Sequence, residues 1–211
     1  MSSGEGIMNV GVATLPNSAT SRETVRNLSN DALIIELINS LNHLSRWLTP
    51  IHDRTVLAWS PRRSDPSVKE VLIAMRDAEA RAYAFMNAIA SHTNPDLDAV
   101  PRVEATATQS AADKAADALV VMAEFRRVRE SSTSLLRALP DTAWQRGGYS
   151  RTERDWTIRE LAEFLAVNDT GMLSEVDRAL AASGARLNIA EVSQVRFDQI
   201  DEPFLPSQVR S

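Results

Sequence analysis

Apolar side chains recur at three- and four-residue steps in four long stretches of this chain, and each stretch reads as an amphipathic helix. In the first, 30–48, they fall at Leu33, Ile34, Leu37, Ile38, Leu41, Leu44 and Leu48, with Ser29 or Asn30 as N-cap and Pro50 just past the end. The second, 67–90, runs through Val68, Val71, Leu72, Met75, Ala78, Ala82, Phe85, Met86 and Ile89. Ser67 caps it, and Glu70 three residues on completes a capping box, in which each side chain satisfies a backbone N–H of the other. The third, 110–139, is Ala-rich, carries Leu119, Met122, Phe125, Leu135, Leu136 and Leu139, and is stopped by Pro140. The fourth, 157–182, carries Ile158, Leu161, Leu165, Met172, Val176 and Leu180, with Gly184 where a left-handed C-terminal residue belongs. No stretch alternates with period two. The pattern predicts an all-α, up-and-down four-helix bundle with long connections at 49–66 and 91–109.

The remainder divides the chain into a flexible N-terminal segment, 1–27, the bundle, 28–183, and an irregular C-terminal extension, 184–211. The extension holds Ile189, Val192, Val195, Phe197, Ile200, Phe204 and Leu205, enough apolar surface to pack on the bundle or on a neighbouring subunit. No basic segment precedes an apolar run at the start, and no 18 consecutive apolar residues occur, so neither a signal peptide nor a spanning helix is expected. A cytoplasmic location follows by default. At 211 residues and 44% hydrophobic content a sizeable core can form, and a net charge of −5 argues against a nucleic-acid partner. The absence of cysteine removes disulfides, thiolate nucleophiles and Cys-ligated zinc.

Candidate chemistry is sparse. His43 and His52 lack a partner at metal-ligand spacing, His52 and His92 fall in connections, and Glu-x-x-His is absent. His43 lies off the apolar stripe, which predicts a rim position. No nucleophile elbow or phosphate-cradling glycine loop is present. Asp169-Thr170-Gly171 spells the aspartic-protease triplet inside a helical period, where that chemistry has no place. Asn168 falls on the three–four alternation Ile158, Leu161, Leu165, Asn168, Met172, Val176 and is expected to point inward, either as a satisfied core amide or as the lining of a ligand cavity. Trp47, Trp59, Trp144 and Trp156 stand near helix ends, where such rings seal a bundle. Arg126, Arg127 and Arg129 read as a solvated basic face.

Two stretches resemble the DinB/YfiT-like family of four-helix bundles. Trp59-Ser60-Pro61, followed by Glu70-Val71-Leu72-Ile73-Ala74-Met75-Arg76-Asp77-Ala78-Glu79, is similar to the family's W-S…E-V-L-x-H-L-x-D-x-E. Leu135 to Trp144 then precedes Thr157-Ile158-Arg159-Glu160-Leu161, and Asn168-Asp169-Thr170-Gly171-Met172 is similar to the family's H-D-x-x-H. The resemblance implies a divalent metal such as zinc or nickel held by three histidines. Here Ala74, Asn168 and Met172 stand at those positions, so no metal or other cofactor is expected. Of the acids left nearby, Asp77, Glu79 and Asp169, two are expected to point outward. Ala74, Asn168 and Met172 are the candidate ligand-pocket positions, with Glu79, Asp169 and Trp59 as further pocket residues and no catalytic residue assigned. The function expected is a non-catalytic binding or assembly module, with a homodimer, a small apolar ligand or a protein partner. The alternative is a thiol-dependent transferase or isomerase, or a hydrolase, working in a remodelled bundle pocket.

Overall fold

Hydroxyl and carboxylate side chains start the long helices. In the computed structural model, which describes residues 18–60, 62, 64–101 and 107–188, Ser29 Oγ accepts from Ala32 N at 3.2 Å and opens helix α2, Asn30–Leu48. It follows a short helix α1, Ser18–Arg26. Helix α3, Val68–Ser91, opens on the expected capping box: Ser67 Oγ accepts from Glu70 N at 3.2 Å and Glu70 Oε2 from Ser67 N at 2.7 Å. Thr157 and Glu160 form a second box, opening the helix Ile158–Ala182. That helix ends at Gly184 with φ 73°, the left-handed residue expected there.

The expected third helix is two helices, α4, Ala107–Ala115, and α5, Ala118–Ala138, so Ile158–Ala182 is α6. Asp117 takes an extended conformation, and its carboxylate caps Leu119 N at 2.8 Å, as short acidic side chains do at helix starts. Alanine propensity alone carries a helix across this point; the cap interrupts it. Helix α4 then docks on α3 through Asp113, which accepts from both terminal nitrogens of Arg76 at 2.7 and 2.9 Å.

Two apolar clusters mark the two ends of the bundle. One joins Leu44 and Leu48 late in α2, Leu72 early in α3, Val121 and Met122 early in α5, and Leu180 late in α6. The other joins Leu33 early in α2, Met86 and Ile89 late in α3, Leu136 late in α5, and Leu161 early in α6. Helices α2 and α6 therefore run one way, and α3 and α5 the other. Around the bundle the order is α2, α5, α3, α6, with α2 and α3 on one diagonal and α5 and α6 on the other. The four-helix bundle stands as expected, but the up-and-down order does not. Because α3 and α5 are parallel neighbours, the connection 92–117 travels the length of the bundle, about 36 Å for the 24 residues of α3.

A hairpin of two-residue strands, too short to show as alternation in the sequence, pairs Gly147–Gly148 with Trp156–Thr157 before α6. The crossover leans on it: Leu97 N donates to Tyr149 O at 2.8 Å and Tyr149 N to Pro95 O at 3.0 Å. Asp98 collects Ser150 Oγ, Arg151 N and Thr152 Oγ1 from the hairpin loop at 2.6–2.8 Å, and these bonds hold its carboxyl down at about 2.

Helix α1 lies within the segment expected to be flexible. Val25 is buried, and Arg159 of α6 donates to Leu28 O at 2.7 Å and to Asn30 Oδ1 at 2.8 Å. At the other end a helical turn, Ala185–Asn188, buries Ala185 in the first apolar cluster. Residues 1–17 and most of the expected extension, 189–211, lie outside the described residues. Among the described residues no helix is long and apolar enough to cross a membrane.

Candidate functional site

Midway between the apolar clusters the bundle holds a charged centre. Arg129 of α5, 1% exposed, donates through Nε to Glu79 Oε2 of α3 at 2.9 Å. Its terminal nitrogens reach Asp169 of α6 at 2.7 and 3.0 Å in a two-point fork. One of them also donates to Leu37 O of α2 at 2.6 Å, so all four bundle helices meet on one guanidinium. The Phe125 ring lies 4.9 Å beneath it. Glu79 and Asp169 are equally buried, at 0% and 2% exposed.

Two carboxylates against one cation leave a surplus negative charge in a dry interior. Burial pushes the Glu79 carboxyl up; Arg129 opposes this in part, and Asp169 adds to it. Its Oε1 has no hydrogen-bond partner, and the neighbouring Ser132 hydroxyl is committed to Val128 O at 3.2 Å. Burial works against charge on Arg129, but Asp169 and then Glu79 outweigh it and raise its pKa further, so it stays a cation at any working pH.

The elevation has a sign that can be tested. Glu79 binds its proton more tightly folded than unfolded, so its contribution to stability is full below its ordinary value of 4.5 and is lost as pH rises through the folded value. Glu79→Gln keeps an acceptor for Arg129 and removes the titration. Between about pH 4 and about pH 7 the variant is expected to gain stability relative to wild type, read by urea unfolding at each pH. A difference that stays flat, or falls, overturns the assignment.

The other residues singled out in the sequence are scattered. Ala74 is exposed on α3, and Trp59, 46% exposed, follows the short 3-10 helix Arg54–Ala58. Asn168 and Met172 are half-buried on the flank of α6, whose inward line is Leu161, Leu165, Asp169, Leu173, Val176 and Leu180. The expected seam was one residue out of phase there, because an unpaired aspartate is excluded from a core while an asparagine is tolerated. Only Glu79 and Asp169 are brought together; both point inward, so of the three acids Asp77 alone lies toward the surface, where two were expected. His43 is buried against Trp47, ring centres 5.9 Å apart, rather than at the rim; burial, with Arg46, lowers its pKa. Arg129 is the residue that sequence reasoning missed. The line Met122, Phe125, Arg129, Thr133, Leu136 follows the same three–four alternation and carries the signal.

These positions do not make a metal centre. An exposed alanine, a half-buried amide and a thioether packed against the core are not a zinc or nickel donor set. Of the acids beside them, Glu79 and Asp169 are spent on Arg129 and Asp77 on Arg76. Among the described residues, no group of three or more His, Asp or Glu could hold a metal ion.

Grooves also lie on the surface among the described residues. One of about 790 Å³, between α3, α5 and the crossover, is lined mostly by apolar atoms of residues such as Tyr83, Ala84 and Val128. One of about 440 Å³ lies between α1 and α6 and includes Trp156, Phe164 and Asn168. One of about 210 Å³ lies between α3 and α6 and shares Trp156 and Phe164 with it. Arg129, Glu79 and Asp169 line none of these three.

The sequence matches no family model and no curated protein. Among solved structures it is similar to YfiT from Bacillus subtilis, described as a probable metal-dependent hydrolase with an unusual four-helix bundle topology. The TM-score is 0.61 at 17% sequence identity, over 75% of this chain and 91% of YfiT. The chain thus has the fold of the DinB/YfiT-like four-helix bundles.

Proposed function

We propose that this protein is a non-catalytic binding or assembly module built on a DinB-like bundle that works without a metal. One observation carries the reading: the two interior acids, Glu79 and Asp169, are both committed to Arg129. The guanidinium supplies the positive charge that a cation would otherwise bring to them. The positions matching the family's histidines offer no donor set in its place, and binding is left to the outer grooves. YfiT's description as a metal-dependent hydrolase frames the alternative, a hydrolase or thiol-dependent transferase with a remodelled pocket. That reading needs an acid or base open to substrate, and the two interior acids line none of the three grooves.

Elemental mass spectrometry of tag-free protein tests the proposal. The expected content is below about 0.1 zinc, nickel or iron per chain, with a melting temperature that added zinc does not raise, since a metal held only by the folded state stabilises it. About one metal per chain overturns the reading and makes metal-dependent chemistry the leading one. A homodimer belongs to the same proposal, on what the resemblance implies, and light scattering on the same preparation checks it. A monomer mass at micromolar concentration removes that part.

A further inference from the structure

The groove between α1 and α6 carries two unmatched donors. Trp156 Nε1 and Asn168 Nδ2 are each shut off from solvent with no hydrogen-bond acceptor, and both side chains form its wall. A buried N–H without an acceptor is costly, and two at one cavity ask for an explanation.

Charge at the groove points the same way. Arg22, Arg26 and Arg154 line it, together with Glu160 and Glu163. Glu163 is already engaged, accepting from Arg159 Nε at 2.7 Å. Glu160 is tied into the capping box of α6 and stands 3.5 Å from Arg154. Arg154 also stacks on the Trp156 ring at 3.7 Å. Arg22 and Arg26 have no ion pair among the described residues, so the groove is locally positive in a chain whose net charge is −5. The rest of the wall is apolar: Val167, the Trp156 ring and Phe164, which stays 43% exposed and meets Trp156 edge to face at 5.7 Å.

We propose that this groove binds a small aromatic monocarboxylate, deepening the reading of a binding module, on which it rests. The carboxylate accepts from Arg22 or Arg26 and, after a small rotation of each side chain, from Trp156 Nε1 and Asn168 Nδ2. Guanidinium and planar N–H donors suit a flat pair of oxygens. The ring of the ligand lies against Trp156, Phe164 and Val167. Two fixed acids in the wall disfavour a phosphate dianion, and the arginines exclude a cation. A volume of about 440 Å³ is at the lower end of small-molecule sites.

The test uses ¹⁵N-labelled full-length protein titrated with benzoate. Its four tryptophans give four indole N–H signals, and that of Trp156 is the one lost in Trp156→Phe. Benzoate is expected to move the Trp156 signal saturably, while benzamide, of the same shape without the charge, leaves it in place. The double variant Arg22→Gln, Arg26→Gln alters two exposed side chains, so its fold should hold; its affinity should fall about tenfold or more. Three results overturn the site: no saturable movement with a folded spectrum, an unchanged affinity in the double variant, or tighter binding of phenyl phosphate than of benzoate. A silent titration on metal-free protein removes the carboxylate site alone; a bound metal removes the reading beneath it.

Discussion

Arg129→Leu is expected to cost about 3–5 kcal/mol of stability and to lower the melting temperature by roughly 6–20 °C. The leucine removes four hydrogen bonds to three partner residues and leaves Glu79 and Asp169, both nearly inaccessible, facing each other without a counter-charge. Part of the loss is relieved at low pH, where a protonated Glu79 no longer opposes Asp169. Removing all three charges together acts differently. Arg129→Leu, Glu79→Leu, Asp169→Leu exchanges the ionic centre for apolar volume, and such exchanges are often neutral or stabilising. Thermal unfolding of wild type, single and triple variants checks both statements. A single variant that melts with wild type, or a triple variant no better than the single, shows that the centre does not hold the bundle together through charge balance. The triple variant keeps the comparison alive should the single fail to fold.

Gly148→Ala is the second large effect, expected at about 1–3 kcal/mol, or roughly 2–12 °C of melting temperature. A methyl group there would stand 2.9 Å from Pro95 O and 2.8–2.9 Å from two carbons of Leu97. The Leu97 side chain can turn aside, though it is itself 2% exposed and has little room. The Pro95 carbonyl cannot, because it accepts from Tyr149 N one residue along. The substitution therefore pushes the hairpin away from the crossover, and Gly148 is the residue that pairs with Trp156. Alanine at exposed Gly171, where a methyl group meets nothing within 4 Å, serves as the control in the same unfolding series.

Much of the fold is legible in the sequence because its signals are local. Ser29, Ser67 with Glu70, and Thr157 mark helix starts within one turn of the groups they satisfy, and Gly184 marks an end by its own conformational freedom. The candidate site is less legible because it depends on phase. Along α6, both Leu165–Asn168–Met172 and Leu165–Asp169–Leu173 are valid helical lines, and the cost of burying an unpaired charge favours the first. The second is correct because Arg129 arrives from another helix to neutralise Asp169, and pairing across helices leaves no mark at either residue alone. Arg129 itself is hidden among Arg126 and Arg127, which share its chemistry but not its face. The crossover escapes notice for a different reason: amphipathic stripes say which face is inward, not which neighbour it meets.

That crossover also shapes how the chain reaches its native state. In an up-and-down bundle each helix can zip against the next to form a hairpin, an early and nearly local nucleus. Here α2 and α3 lie across a diagonal, as do α5 and α6, so neither consecutive pair can bury its stripe alone. The first stable association must close a long loop, α3 onto α5 across residues 92–117 or α3 onto α6 beyond that. The entropic cost of closure comes before the contacts that reward it, which places this protein among the slower folders for its helical class. Synthesis from the ribosome sharpens the point: until α6 emerges, Arg129 and Glu79 have met but Asp169 is missing, and the bundle is completed only when the last helix docks.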